Sequence, residues 1–221
     1  MHPINIYLVR HGQSENNAIK EDLIGQPTNS PLSELGKTQA KLLGQKFLKE
    51  GMRFDRIFAS TFLRASETAK IVVDTLDYKE PLYLYNELVE YSPGDWRGKK
   101  RDEIFGDFDN ARKVSALNMH FRFPNGESLH QVQRRASHWL EDKTVLNTDV
   151  LKTANEREQH FLVVSHGMTI RCLLHYIMGF DQSFIWKINT DNSAITHLIY
   201  TEHRGWYLKT INDTRHLVGS Q

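Results

Sequence analysis

Two short stretches hold residues whose types and order suit phosphorus chemistry. Residues 7 to 12 read YLVRHG and residues 162 to 167 read LVVSHG; each is an apolar run followed by a polar residue, a histidine and a glycine. A neutral imidazole at His11 has a nitrogen lone pair that can attack phosphorus, splitting one hard displacement into two easier ones through a phosphohistidine. Arg10 beside it offers a rigid fork of donors that matches phosphoryl oxygens and stays charged at any relevant pH. Guanidinium charge also disfavours protonation of a neighbouring imidazole, which keeps the nucleophile free. Gly12 and Gly167 leave room for backbone N–H groups to approach an anion. A zinc site fits poorly. There is no His-Glu-x-x-His, Cys172 is the only cysteine, and a cation beside His11 opposes a second one. No metal and no cofactor is expected. Taken singly, either histidine also reads as a strand-end residue bonded to a backbone carbonyl; the recurrence of the pattern argues for a shared purpose.

Such residues need elements to aim them. Short apolar runs at Ile4 to Val9, Ile57 to Ala59, Leu82 to Tyr85 and Phe161 to Val164 read as strands. Between them, Gly36 to Gly51, Phe62 to Leu76 and Leu129 to Leu146 have helical spacing, with Leu129, Val132, Ala136, Trp139 and Leu140 on one face. SAITHLIY and WYLKTI, parted by TEHRG, read as a closing hairpin at the sheet edge. This alternation predicts an α/β fold, a three-layer α/β/α sandwich whose mainly parallel central sheet has helices on both faces. In such sheets ligands sit beyond the carboxyl ends of strands. If the first and fourth strands are neighbours, His11 and His166 share one crevice. Residues 99–126 break the alternation and predict a small helical cap. Residues 147–159 read as a solvated helix end and loop.

At 221 residues one domain, 1–221, is expected, with 99–126 inserted as the cap. Twenty-eight basic against 27 acidic residues leave a net charge of +1, which supplies no field to gather nucleic acid or an anionic membrane. Any anion must be held locally. No stretch reaches the length of a membrane span, the amino terminus lacks a signal-like pattern, and a lone cysteine fits a reducing compartment, so the expected setting is cytoplasmic.

Beyond these two stretches, the chain resembles the histidine phosphatase superfamily in its phosphoglycerate-mutase-like branch. LVRHGQSENN is similar to the signature around the family's nucleophile, and NSPLSELGKTQA (29–40) to its next block. ASTFLRASETA (59–69) resembles the block with a second arginine, LVEYSPGDWRGK (88–99) the acid segment, FPNGESL (123–129) a characteristic turn, and VVSHGMTIR (163–171) the second histidine. The resemblance implies that His11 accepts the phosphoryl group, that Arg10 and Arg64 clamp its oxygens, and that His166 stabilises their growing charge. It also implies that Asn17 adds a phosphate contact. Gly167 is counted with them as a substrate contact. Counting back from Gly94, the family's general acid aligns with Glu90, with Glu87 as second choice. It would protonate the leaving oxygen and later take a proton from the attacking water.

Three places depart from the family pattern. Gln13 stands where glutamate is common, GQPTNSPLS (25–33) is one residue long with Asn29 for an aspartate, and Arg97 replaces a usual acidic residue. The first two blur the substrate loop, where Gly25 and Gln26 are candidate contacts. The link from Gly98 to Glu127 is short and has one proline, Pro124, unlike the longer insertion of mutases. The expected function is therefore hydrolysis of a small-molecule phosphomonoester without metal. The alternatives are phosphoglycerate mutase or bisphosphatase activity and a catalytically inactive phosphate-binding scaffold. The cap aromatics Phe105, Phe108, Phe121 and Phe123 beside Arg101, Arg112, Lys113 and Arg122 could wall a pocket for an aromatic or further-charged leaving group; the expected reading is cap core for the former and a solvated face for the latter. Oligomeric state is not readable from the sequence.

Overall fold

Four apolar runs form the parallel part of one sheet in the computed structural model, which describes residues 1–19 and 22–218. They are β1 (Ile4–Arg10), β2 (Arg56–Ser60), β3 (Leu82–Tyr85) and β4 (Gln159–Ser165). A terminal hairpin, β5 (Ile195–Thr201) and β6 (Gly205–Asp213), completes the sheet in the order β3-β2-β4-β1-β5-β6. β1 pairs parallel with β4, β4 with β2 and β2 with β3; β5 joins β1 antiparallel. Arg10 lies opposite Ser165, so His11 and His166 leave the sheet side by side.

The helices are α1 (Glu15–Ala18), α2 (Glu34–Lys49), α3 (Leu63–Thr75), α4 (Arg101–Phe105), α5 (Phe108–Leu117), α6 (Leu129–Lys143), α7 (Thr148–Ala154) and α8 (Gly167–Met178). The period of two along each strand divides the core. Val9, Ile57, Ala59, Leu162 and Val164 pack with Leu43 and Phe47 of α2 and with Ala65, Ala69 and Val72 of α3. Ile4, Ile6, Leu8, Phe58, Phe161 and Val163 pack on the other side with Trp139 and Leu140 of α6 and Ile170 and Leu173 of α8. Each such fully buried aliphatic or aromatic side chain stabilises the fold by roughly 1.5–3 kcal/mol relative to exposure. Both faces of the central strands β1, β2 and β4 are therefore covered, and their carboxyl ends carry the polar residues.

Residues 99–126 do form a small cap: α4, α5 and a 3-10 turn at Asn118–His120. Ile104, Phe121 and Phe123 bury themselves with Trp96 and Ile24, and Phe105 packs partly against them. Phe108 departs from the expectation of cap core, being 78% exposed. Arg101, Arg112, Lys113 and Arg122 are exposed as expected.

Two elements differ from the sequence reading. Residues 147–159 are more than a surface connection: Asn147 caps α7, whose Val150 and Ala154, four apart, put one helical face into the core, and Gln159 already begins β4. The polar flanks masked that short apolar stripe. The second, α8, follows directly on the SHG motif and is not among the helices that the sequence spacing predicts; it buries Met168, Thr169, Ile170, Cys172, Leu173 and Leu174 and turns Tyr176 and Met178 outward.

Candidate active site

The ends of β1 and β4 supply two imidazoles whose rings stand 5.1 Å apart, centroid to centroid. His11 is almost wholly buried. Its backbone N–H donates to the Ser165 carbonyl at 2.9 Å, while its own carbonyl accepts from Ser193 N–H at 3.2 Å and Asn192 Nδ2 at 3.0 Å. Its ring state follows from its partners. Nδ1 lies 2.7 Å from the Gly12 carbonyl, which can only accept, so Nδ1 bears the proton. Nε2 accepts from Arg64 Nε at 3.2 Å, so Nε2 keeps its lone pair. Burial first, then the Arg10 and Arg64 charges, hold the ring's pKa well below the ordinary 6.5. The ring is a neutral base at physiological pH.

Arg64, in the first turn of α3, is buried and also donates to the Pro27 carbonyl at 2.9 Å. Burial lowers its pKa to about 10, with Arg10 and Arg97 adding to the effect and Glu90 opposing it, so it remains a cation at neutral pH. Arg10 donates from NH1 to the Thr190 carbonyl at 2.6 Å. Its Nε is sealed from solvent and has no hydrogen-bond partner among the described residues. Gly167 lies against the same pair: a Cβ there would press on Thr190 Oγ1 at 3.0 Å and meet Arg10 Nε in ordinary contact at 3.6 Å. Gly12 serves differently from the expectation. Its N–H already donates to Thr68 Oγ1 at 3.0 Å and so is not offered to an anion. Its missing side chain instead lets β1 seat on α2, since a Cβ would come 2.5 Å from the Gly36 carbonyl oxygen.

His166 is the N-cap residue of α8 and fully buried, with Nε2 2.7 Å from Ser60 Oγ and Phe62 edge-on to its ring at 5.3 Å. Burial first, then the competing His11 ring and the Arg64 and Arg10 guanidiniums, keep it neutral too, with a pKa well below 6.5. The helix cap it does not provide comes from Glu90. That carboxylate accepts from Met168 N–H at 3.1 Å and from Thr169 N–H at 3.2 Å, the second and third residues of α8. Glu90 therefore sits at the helix start beside His166, within the electrostatic reach of Arg10 and Arg64. Glu87 is exposed, and Arg135 donates to its backbone carbonyl at 2.6 Å.

The remaining expected contacts line a polar recess. Asn17 closes a capping box with Ser14 and accepts from Asn192 Nδ2 at 3.4 Å through Oδ1, which leaves its NH2 group to give. Asn17, Gly25 and Gln26 line a cavity of about 200 Å³ with Asn16 and Asp22. Gln26 Oε1 accepts from Ser14 Oγ at 2.9 Å, and its carbonyl accepts from Arg97. Gly25 has φ +68°, and a Cβ there would lie 2.5 Å from Pro93 Cγ. A larger cleft of about 630 Å³ beside α2 and Arg215 contains none of these residues, so chemistry and not volume marks the site.

Sequence reasoning missed several supporting residues: Ser60, Thr68, Thr190, Asn192, and the Glu127–Arg135 pair. Arg135 pairs with Glu127 through Nε at 3.0 Å and NH2 at 3.2 Å, and reaches the carbonyls of Glu87 and Glu90; Glu127 also accepts from Ser92 N–H at 3.0 Å. Together they hold the segment that carries Glu90. The GES turn at 126–128 was the available signal for Glu127. Among the described residues no group of three or more His, Cys, Asp or Glu side chains could hold a metal ion, and no helix is long and apolar enough to cross a membrane.

Similarity to known proteins agrees with this geometry. A protein of Hydrogenobacter thermophilus named "Putative phosphoserine phosphatase 2" is 30% identical over 219 residues, covering 96% of this chain and 98% of the relative. A Yersinia pestis protein named "Probable phosphoglycerate mutase GpmB" is 29% identical over 219 residues, 97% and 95% of the two chains. The structure of a phosphoserine phosphatase variant of Entamoeba histolytica in complex with phosphoserine superposes with a TM-score of 0.78 at 25% identity, over 97% of this chain and 99% of that one. The sequence profile of the histidine phosphatase superfamily (branch 1) matches residues 6–214, and the chain belongs to that family.

Proposed function

We propose that the protein is a phosphomonoester hydrolase that works through a phosphohistidine at His11 on a small phosphorylated metabolite. The observation that carries this is the state of the His11 ring: a buried, neutral imidazole with Nδ1–H tied to the Gly12 carbonyl and the Nε2 lone pair beside two guanidiniums. In the first step Nε2 forms a bond to phosphorus as the bond to the leaving oxygen breaks. Arg64 Nε moves its hydrogen bond from Nε2 to a phosphoryl oxygen. Arg10, Asn17, His166 and the Gly167 end of α8 take up the charge spread over those oxygens. Glu90 gives its proton to the leaving oxygen, so a neutral alcohol departs. Water then attacks phosphorus while Glu90 accepts its proton; the N–P bond breaks, the lone pair returns to His11, and orthophosphate leaves.

Gly25 and Gln26 meet the leaving group in the polar recess. Residues 1–221 act as one domain with 99–126 as its cap, which the shared burial of Ile104, Phe121, Phe123 and Trp96 supports. A cytoplasmic setting is in keeping with the single cysteine, Cys172. A bound sugar-acid hydroxyl in place of water would make the same site a mutase; the relative named as a mutase is the reason to test it. Incubation with p-nitrophenyl phosphate in the presence of a chelator should release phosphate from wild type and not from His11→Ala. A wild type inert toward a broad phosphoester panel would refute the hydrolase reading. Transfer between the 2- and 3-positions of phosphoglycerate faster than its hydrolysis would establish the mutase.

A further inference from the structure

Ser60, the last residue of β2, is fully buried. Among the described residues its hydroxyl oxygen has two partners: the backbone N–H of Phe62 at 3.2 Å and Nε2 of His166 at 2.7 Å. The amide can only donate, so the oxygen accepts there. A hydroxyl has one proton of its own to give, and His166 Nε2 is the one acceptor it meets among the described residues. A proton on Nε2 instead would leave two buried groups unserved, the Ser60 hydroxyl hydrogen and the Nδ1 lone pair, whereas the Nδ1–H form leaves one, the Nδ1–H itself. Nε2 is therefore a lone pair, and in a neutral imidazole the hydrogen then sits on Nδ1. That nitrogen is sealed from solvent and has no hydrogen-bond partner among the described residues.

We propose that Ser60 is a positioning residue that locks His166 as its Nδ1–H tautomer, so that the second histidine meets the phosphoryl group as a neutral hydrogen-bond donor. The catalytic meaning of this rests on the phosphohistidine reading. A donor aimed at oxygens that gain charge in the transition state lowers the barrier. The opposite tautomer would present a lone pair to the same oxygens and raise it. Burial and the surrounding guanidiniums keep the ring from taking a second proton, so its effect depends wholly on which nitrogen holds the first. The edge-on Phe62 ring and the Ser60 bond together hold the imidazole plane. Ser60 never touches substrate; it acts through His166.

The test is long-range ¹H–¹⁵N correlation of the ring nitrogens in phosphate-free buffer, with the His166 signals assigned by their loss in His166→Gln. Wild type should show a protonated Nδ1 and an unprotonated Nε2. Ser60→Ala should populate the other tautomer and lower kcat by roughly tenfold or more, and Ser60→Thr, which keeps the hydroxyl, should restore both. A wild-type ring protonated on Nε2 overturns the proposal. So does a Ser60→Ala protein that stays Nδ1-protonated while losing rate, because its effect would then be merely structural. The spectra need no substrate, so an enzyme that hydrolyses nothing would sink the phosphatase reading and still leave the tautomer measured.

Discussion

The carboxyl ends of β1 and β4 start from the same apolar-polar-His-Gly pattern and are put to opposite uses. After β1 the chain runs on extended before the short α1, and His11 Nδ1–H turns to the carbonyl of its own neighbour, Gly12. After β4 the chain enters α8 at once, and His166 becomes a helix cap residue whose Nε2 meets a hydroxyl from β2. A carbonyl can only accept, so the first imidazole shows a lone pair at Nε2. A hydroxyl whose oxygen already accepts must donate, so the second shows N–H at Nδ1. In the proposed reaction two identical side chains serve as nucleophile and hydrogen-bond donor because their neighbours choose which nitrogen bears the proton.

The sharpest way to break this comparison is to replace each imidazole by asparagine and follow acid-labile ³²P on the protein. His11→Asn should take up no label and lose at least about 10³-fold in kcat. Glu90→Gln should lower turnover of alkyl phosphates by roughly 10²–10⁴-fold. It should cost far less on p-nitrophenyl phosphate, whose phenolate leaves without a proton; an equal loss on both would remove Glu90 as the acid. His166→Asn should still label, slowly, with kcat down roughly 10²–10³-fold. Complete loss of labelling would mean that the two strand ends are not distinct in role.

Smaller effects sharpen the contrast. Arg135→Ala frees the segment that carries Glu90 and leaves Glu127 without its cation, so stability should fall by about 1–3 kcal/mol in urea titrations. Selective loss on alkyl phosphates should accompany it if that pair aims the acid. The smallest effect is in pH. His11 and His166 have native pKa values well below the 6.5 of an exposed imidazole, so below that pH the unfolded chain binds protons that the native one refuses. Stability is therefore fully present above about pH 6.5 and declines as pH falls toward the native values. Unfolding midpoints of His166→Asn should decline less steeply than those of wild type over the same range.

Much of the fold was legible because the strands are nearly continuous apolar runs. β3 falls at Leu82–Tyr85 as the pattern predicts, and β1, β2 and β4 differ only by one or two residues at their ends. The pairing of β1 with β4 was readable only as a condition, since parallel neighbours leave no local mark. The groups of the candidate site were legible by type: Arg10, His11, Arg64, Glu90 and His166 converge in space. Their supports were not. Ser60, Thr68 and Asn192 are ordinary polar residues, and what each does depends on a partner 106, 56 or 181 positions away. Arg135 looks in sequence like any helix-surface cation, and its partners become visible only where α6 crosses the Glu90 segment.

The grip on His11 from both flanks has a consequence for traffic through the cleft. Its peptide is tied to Ser165 on one side and to Asn192 and Ser193 on the other, and Gly12 is wedged against the first turn of α2. The anvil is held from both flanks. Motion that admits an ester and releases orthophosphate is expected of the opposite wall, the 22–27 loop, which is tied to no strand of the sheet: its bonds run to Ser14, to Arg64 and to residues 97–101, through Gly98 N–H on the Ile24 carbonyl, Ile24 N–H on Lys99, Arg101 on Asp22 and Arg97 on Gln26. Differences in turnover speed among enzymes built on this plan should be sought in that hinge side, with deuterium uptake as the gauge.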